Sequence, residues 1–272
     1  AMADSGRILI TGGASGLGRA LAERYLRDGW QGVIGDLNAE RGQETVAELG
    51  ELGRIVFREL DVRSPESFEQ VRAWLEEHWG GLDVLVNNAG VAAAGRIERL
   101  EDGDWRWIVD INLLGVVNGC RVFTPLFKRQ QSGHIVNIAS MAGLLNPPVM
   151  SSYNVTKAGV IALSETLRYE LAPWDIHTTV VCPGFFQTNL TESLRSPEPG
   201  MAETVGKLLT TSELSADDIA VMIRDAVARK RFILLPHKAG RRARLIQRLL
   251  PPVFRRQMRK LAAGYKRKLD DS

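Results

Sequence analysis

Tyr153 and Lys157 stand four residues apart in SSYNVTKAG, thirteen residues after Ser140. On a helix, positions i and i+4 share one face with Cβ atoms about 5–6 Å apart. An ammonium there can stabilise a phenolate, whose ordinary pKa is about 10, and bring the phenol toward use as a general acid and base on a carbonyl or alcohol. The same spacing also suits two unrelated side chains on a solvated helix face, so the elements around the pair decide its meaning.

The first apolar run, RILIT, leads into Gly12-Gly13-Ala14-Ser15-Gly16-Leu17-Gly18 and then an amphipathic stretch. A strand, a glycine turn and a helix start in that order let backbone N–H groups of Ser15, Gly16 and Leu17 face a pyrophosphate, where a Cβ would block the approach. The spacing of Gly12, Gly16 and Gly18 differs from G-x-G-x-x-G. A P-loop is excluded, because Arg19-Ala20 stand where Lys and Ser or Thr are required. A plain glycine-rich turn is the rival reading. Asp36, eighteen residues after Gly18, is placed to accept hydrogen bonds from ribose hydroxyls and to repel a 2′-phosphate, which favours NAD over NADP. Arg19 and Arg41 count against that preference, and Asp36 could instead cap a helix, as Asn38 could.

Short apolar runs alternate with amphipathic stretches along the chain: RILIT, QGVIGD, RIVFRELD, LDVLVNNAG, HIVNIAS, IHTTVVCPG and RFILLP, with helices expected near 16–28, 38–50, 65–79, 104–130, 152–172 and 215–229. Continuous Val/Ile/Leu strands mark a parallel sheet covered on both faces. The expected fold is α/β: one doubly wound domain over 1–236 with about seven strands, ligands lying beyond their carboxyl ends. Residues 185–214, with Pro197, Pro199 and Gly200, make a connection long enough to be a lid. Residues 237–272 form a basic extension.

Of 272 residues, 44% are hydrophobic and 25% charged, which excludes disordered and collagen-like classes. Cys120 and Cys182 read as packing residues in a reducing compartment. The four histidines show no metal-ligand spacing, so no metal is expected. No apolar run is long enough for a membrane span and no signal-peptide core precedes the first strand, so a cytoplasmic protein is expected. The net charge of +3 conceals an asymmetry: residues 237–272 hold 12 Lys/Arg and 2 Asp/Glu, leaving 23 and 30 before them, so the extension is +10 and the body −7. In the extension Leu245, Ile246, Leu249, Leu250, Phe254, Met258 and Leu261 are interleaved with arginines, and Pro251-Pro252 divides two helical pieces. Docking over the site or on another subunit, seating on an anionic membrane surface, and a solvated helix all remain open. A nucleic-acid partner is not expected, since no recognition module accompanies the basic stretch.

Taken in order, TGGASGLG at 11–18, Asp61-Val62, NNAG at 87–90, Asn112, Ser140, YNVTK at 153–157 and PGFFQT at 183–188 resemble the short-chain dehydrogenase/reductase family over about residues 7–235. The resemblance implies Tyr153 as general acid/base, with Lys157 lowering its pKa and binding the nicotinamide ribose. Ser140 would orient the substrate oxygen, and Asn112 would hold a water that links Lys157 to solvent. It further implies that Asp61 and Val62 flank the adenine, that Asn88, Ala89 and Gly90 line the ribose side, and that Pro183, Gly184 and Thr188 hold the carboxamide. A homo-dimer or homo-tetramer is implied. Leu144, Leu145, Val149, Met150, Phe185 and Phe186 favour a hydrophobic secondary alcohol or ketone of acyl, steroid-like or terpenoid type. A non-catalytic dinucleotide-binding scaffold acting through its basic tail is the alternative. A hydrolase is set aside, because no G-x-S-x-G elbow is present.

Overall fold

The computed structural model describes residues 5–186, 192–210 and 212–270. Among them are seven strands: β1 (Arg7–Thr11), β2 (Gln31–Asp36), β3 (Ile55–Glu59), β4 (Val84–Asn87), β5 (Gly133–Ile138), β6 (Ile176–Val181) and β7 (Ile233–Leu234). They form one sheet in the order β3-β2-β1-β4-β5-β6-β7, with every neighbouring pair parallel. The helices are α1 (Gly16–Arg27), α2 (Ala39–Leu49), α3 (Pro65–Trp79), α4 (Asp102–Val109), α5 (Gly115–Gln130), α6 (Ala142–Leu145), α7 (Ser151–Glu170), α8 (Met201–Thr210), α9 (Ala216–Ala228), α10 (Lys238–Leu249) and α11 (Pro251–Asp270).

Successive strand side chains alternate between faces, and each face has its own core. Ile8 and Ile10 of β1 join Leu17, Leu21 and Tyr25 of α1 and Ile219 and Ile223 of α9. Leu9, between them, joins Phe68 and Leu75 of α3, Phe123 and Phe127 of α5 and Val160 of α7. Both faces of the strands are dry, which is why they read as unbroken apolar runs. Helix ends follow local chemistry: Ser64 accepts the Ser67 N–H at 3.1 Å ahead of Pro65, and Gly80 closes α3 at φ +71°.

The single long helix expected near 104–130 is interrupted by a π turn at Asp110–Leu114. Asn112 there is fully buried; its Oδ1 accepts the Val91 N–H and its Nδ2 donates to the Val91 carbonyl, both at 2.8 Å. The wider turn accommodates a side chain that bonds the loop after β4 like a strand neighbour.

The connection expected as a lid contains α8, and its start is pinned to the body. Arg195 exchanges backbone hydrogen bonds with Ala92 and Ala94, both 3.1 Å, while buried Glu198 accepts from the Arg96 guanidinium at 2.9 Å. The basic extension folds into α10 and α11, divided at the Pro251-Pro252 pair. Gln247 donates to the Leu144 carbonyl at 3.0 Å, Gly240 sits against Met141, and Phe254 and Leu269 are buried. Its inner face thus docks on its own chain.

Candidate active site

The strand order reverses between β1 and β4, where outgoing loops diverge and open a crevice. The glycine loop enters it with Gly12 at φ +62° and Gly16 at φ +53°, the left-handed region that glycine occupies without steric cost. Thr11 Oγ1 accepts the N–H groups of Asn88 and Ala89, each at 3.0 Å. Asn88 Nδ2 in turn donates to the carbonyls of Thr11 and Gly12 at 3.0 and 3.1 Å. The NNAG amide is therefore engaged in holding two loops together, while its backbone faces the crevice. A Cβ on Gly18 would lie 2.3 Å from the Gly12 carbonyl oxygen, so this glycine serves contact between helix start and strand end. Gly18, expected at the coenzyme, does not line the cavity.

The crevice is a cavity of about 1310 Å³. It brings together Gly12, Ser15, Gly16, Leu17, Asp36, Asp61, Val62, Asn88, Ala89, Gly90, Ser140, Tyr153, Lys157, Pro183 and Gly184. Asp36 accepts the Ala14 and Asn38 N–H groups at 3.2 and 3.0 Å, which fixes it at the end of β2. Arg63, 2.7 Å away, holds the Asp61 carboxyl below its ordinary range through hydrogen bonding.

Ser140 follows β5, while Tyr153 and Lys157 lie on the first turns of α7. Gly143 allows that packing, since a Cβ there would be 2.6 Å from the Lys157 carbonyl carbon. Lys157 Nζ is 5.7 Å from the Tyr153 ring centre and donates to the Ile138 carbonyl at 3.0 Å. Burial pushes the ammonium down to about 8. It also raises the Tyr153 phenol, with the opposing pull coming from a hydrogen bond with Ser140. The expected lowering by Lys157 is thus not the leading effect, because the ammonium sits beside the ring, bonded to a carbonyl, with its own charge penalised by burial.

Asn112 lies behind the cavity wall, bonded to Val91, and not in the lining. Thr188 lies outside the described residues. Leu145, Phe185 and Phe186 line the cavity as expected of an apolar substrate wall; Leu144 packs into the core, and Val149 and Met150 pack beside Tyr153. Val149 holds φ +58°, a conformation that costs a β-branched residue, and its carbonyl accepts the Gly95 N–H at 2.7 Å.

One residue of the site escaped the sequence reading. His237 Nδ1 accepts the Gly184 N–H at 3.0 Å, and its Nε2 faces Ser212 Oγ at 3.3 Å. One imidazole therefore ties Gly184 and Ser212, on either side of the long connection, to the start of α10. Burial, aided by Arg241, lowers its pKa and keeps it neutral, and the Gly184 donor places the ring proton on Nε2. The available signal was its position in LLPHK, directly beyond the last strand. Ala239, Gly240, Ala243 and Met258 of the extension also reach the cavity.

A family model described as short chain dehydrogenase matches residues 7–199. The 3-oxoacyl-[acyl-carrier-protein] reductase FabG of Thermotoga maritima is 35% identical over 187 residues, covering 68% of this chain and 76% of that protein. The probable oxidoreductase EphD of Mycobacterium tuberculosis is 32% identical over 258 residues, covering 91% of this chain but 44% of its own length, so this chain spans less than half of that relative. A short-chain dehydrogenase/reductase of Burkholderia phymatum, solved in complex with NAD, has a TM-score of 0.86 at 31% identity and covers 90% of this chain and 93% of its own. With its parallel sheet, glycine loop and Ser140, Tyr153 and Lys157 in one crevice, the chain belongs to the short-chain dehydrogenase/reductase family of oxidoreductases.

Proposed function

We propose that the protein interconverts a hydrophobic secondary alcohol and its ketone with a nicotinamide dinucleotide, NAD(H) in preference to NADP(H), and with Tyr153 as acid and base. The observation that carries this reading is the shared cavity: an ionisable phenol, a serine and a lysine at one end, a glycine loop and a carboxylate at the other.

The residues present fit the dinucleotide. No acidic side chain lies in the first turn of α1, and the Ser15 side chain makes no capping bond, so the N–H groups of that helix start suit a pyrophosphate. Asp36, at the end of β2, suits the adenosine ribose hydroxyls. The bound nicotinamide supplies or accepts the hydride. The chain does the rest. Ser140 holds the substrate oxygen beside Tyr153, which donates its proton to a ketone or takes one from an alcohol. Lys157 holds the ribose and offers positive charge next to a forming phenolate. Leu145, Phe185 and Phe186 exclude water and set an apolar substrate preference. Exposed Leu114 and Val155, on the π turn and α7, support assembly as a homo-oligomer.

Asp36→Ala is expected to lower the NAD-over-NADP ratio of kcat/KM by about tenfold or more, since it removes a carboxylate that would face the 2′-phosphate. Steady-state kinetics with both coenzymes reads this, and an unchanged ratio would refute the preference. His237→Phe removes the acceptor for Gly184 N–H and is expected to raise the coenzyme KM about fivefold, the worth of one hydrogen bond, with a smaller change in kcat. His237→Asn, whose Oδ1 can stand where Nδ1 was, should restore most of it. Equal KM in all three proteins would end the positioning role.

A further inference from the structure

We infer that the outward face of α10 and the elbow into α11 form a seat for an anionic phospholipid surface, an inference independent of the catalytic reading. The inner face of this extension is committed. Gly240 lies against Met141, Gln247 bonds Leu144, and Phe254 is buried. The outer face is of a different kind. Arg242, Leu245, Arg248 and Leu249 are all exposed and fall on one arc at 100° per residue, while Lys238 and Arg241 at its margin also border the cavity, Arg241 donating to the Leu235 and Pro236 carbonyls. At the elbow Leu250 and Val253 follow, and Leu249 is 68% exposed.

No acidic residue occurs from Lys238 to Leu269, and none of the twelve cations of residues 237–272 makes an ion pair with a described carboxylate. Apart from Lys268, which helps to lower the Glu203 pKa, the charge of the extension is therefore not answered by a described carboxylate. Aliphatic tips interleaved with guanidinium groups match a bilayer interface, where leucines enter the acyl boundary and arginines reach phosphate. A second copy fits less well. Its acidic body could answer the charge, but Leu114 and Val155, the exposed apolar pair that suits a subunit contact, lie on the π turn and α7 and not on this extension. No described helix is long and apolar enough to cross a membrane, so the attachment is to the surface.

The test is co-sedimentation of the full chain with vesicles of phosphatidylcholine alone and of phosphatidylcholine with phosphatidylglycerol, alongside light scattering for mass. Binding to the anionic vesicles should exceed binding to neutral ones by about tenfold or more, and should fall at high salt. Leu249→Glu with Leu250→Glu, and separately Arg242→Glu with Arg248→Glu, should each reduce it by about tenfold while the melting curve and activity of the protein stay as they were. Equal weak binding of the unaltered chain to both vesicles would overturn the inference, as would undiminished binding of either variant. A halved mass of the leucine variant without vesicle binding by the unaltered chain would assign the face to a second copy instead.

Discussion

Tyr153→Phe is expected to lower kcat by on the order of a hundred- to ten-thousand-fold, the range a positioned general acid or base contributes, while the dissociation constant of the coenzyme changes less than about threefold. Phenylalanine keeps the ring that packs with Ala93, Ile108 and Met150. What is lost is the hydroxyl and its bond with Ser140, worth about 1 kcal/mol of stability. Chemistry should collapse while fold and coenzyme binding persist. Fluorescence titration of the coenzyme beside steady-state turnover separates the two, and a variant retaining a tenth of its activity would disprove the proton-transfer role. Burial holds the phenol above its ordinary pKa, so the protonated form needed for ketone reduction prevails at neutral pH. Alcohol oxidation, which needs the deprotonated form, should accelerate as pH rises.

Lys157→Met should separate stability from activity in opposite directions. The ammonium titrates at 10.5 in the unfolded chain and at about 8 when folded, because burial penalises its charge. Below pH 8 both states carry the proton and the penalty is present in full, about 3 kcal/mol at 1.36 kcal/mol per pH unit. Between pH 8 and 10.5 the unfolded chain holds more protons, so unfolding free energy rises with pH and the penalty fades. Methionine removes it but leaves the Ile138 carbonyl without its donor, a loss of about 1 kcal/mol. The variant should therefore be about 2 kcal/mol more stable than the parent at pH 7, and slightly less stable above pH 10.5, with turnover reduced at least about a hundredfold. Denaturant melts at both pH values decide it, and a variant less stable at pH 7 would show that the buried charge carries no net penalty.

The parallel sheet was legible in the sequence because dry strands leave unbroken Val and Ile runs, and the candidate site because Ser140, Tyr153 and Lys157 stand in a fixed order around them. What escaped was tertiary. The apolar period through residues 104–130 is helical throughout, and only the bonds between Asn112 and Val91 reveal that the helix widens. His237 lies 53 residues from the Gly184 amide it accepts, so its place just beyond the last strand hints at the site without naming the partner. The inner face of the extension is defined by Met141 and Leu144, which no reading of the extension alone supplies. The Tyr153–Lys157 spacing placed the two together, but the phenol's proton affinity is set by burial and Ser140, which spacing does not encode.

The π turn at Asp110–Leu114 makes length, as well as composition, a heritable constraint here. A widened turn spends about one extra residue on the same rotation, so deleting one would restore ordinary winding with little change of phase downstream. Phe123 and Phe127 would stay on the sheet, while the asparagine would lose Val91. A second deletion would find no spare residue and would swing everything beyond it by about 100°. The first lost codon is thus felt through one side chain, the next through the whole core.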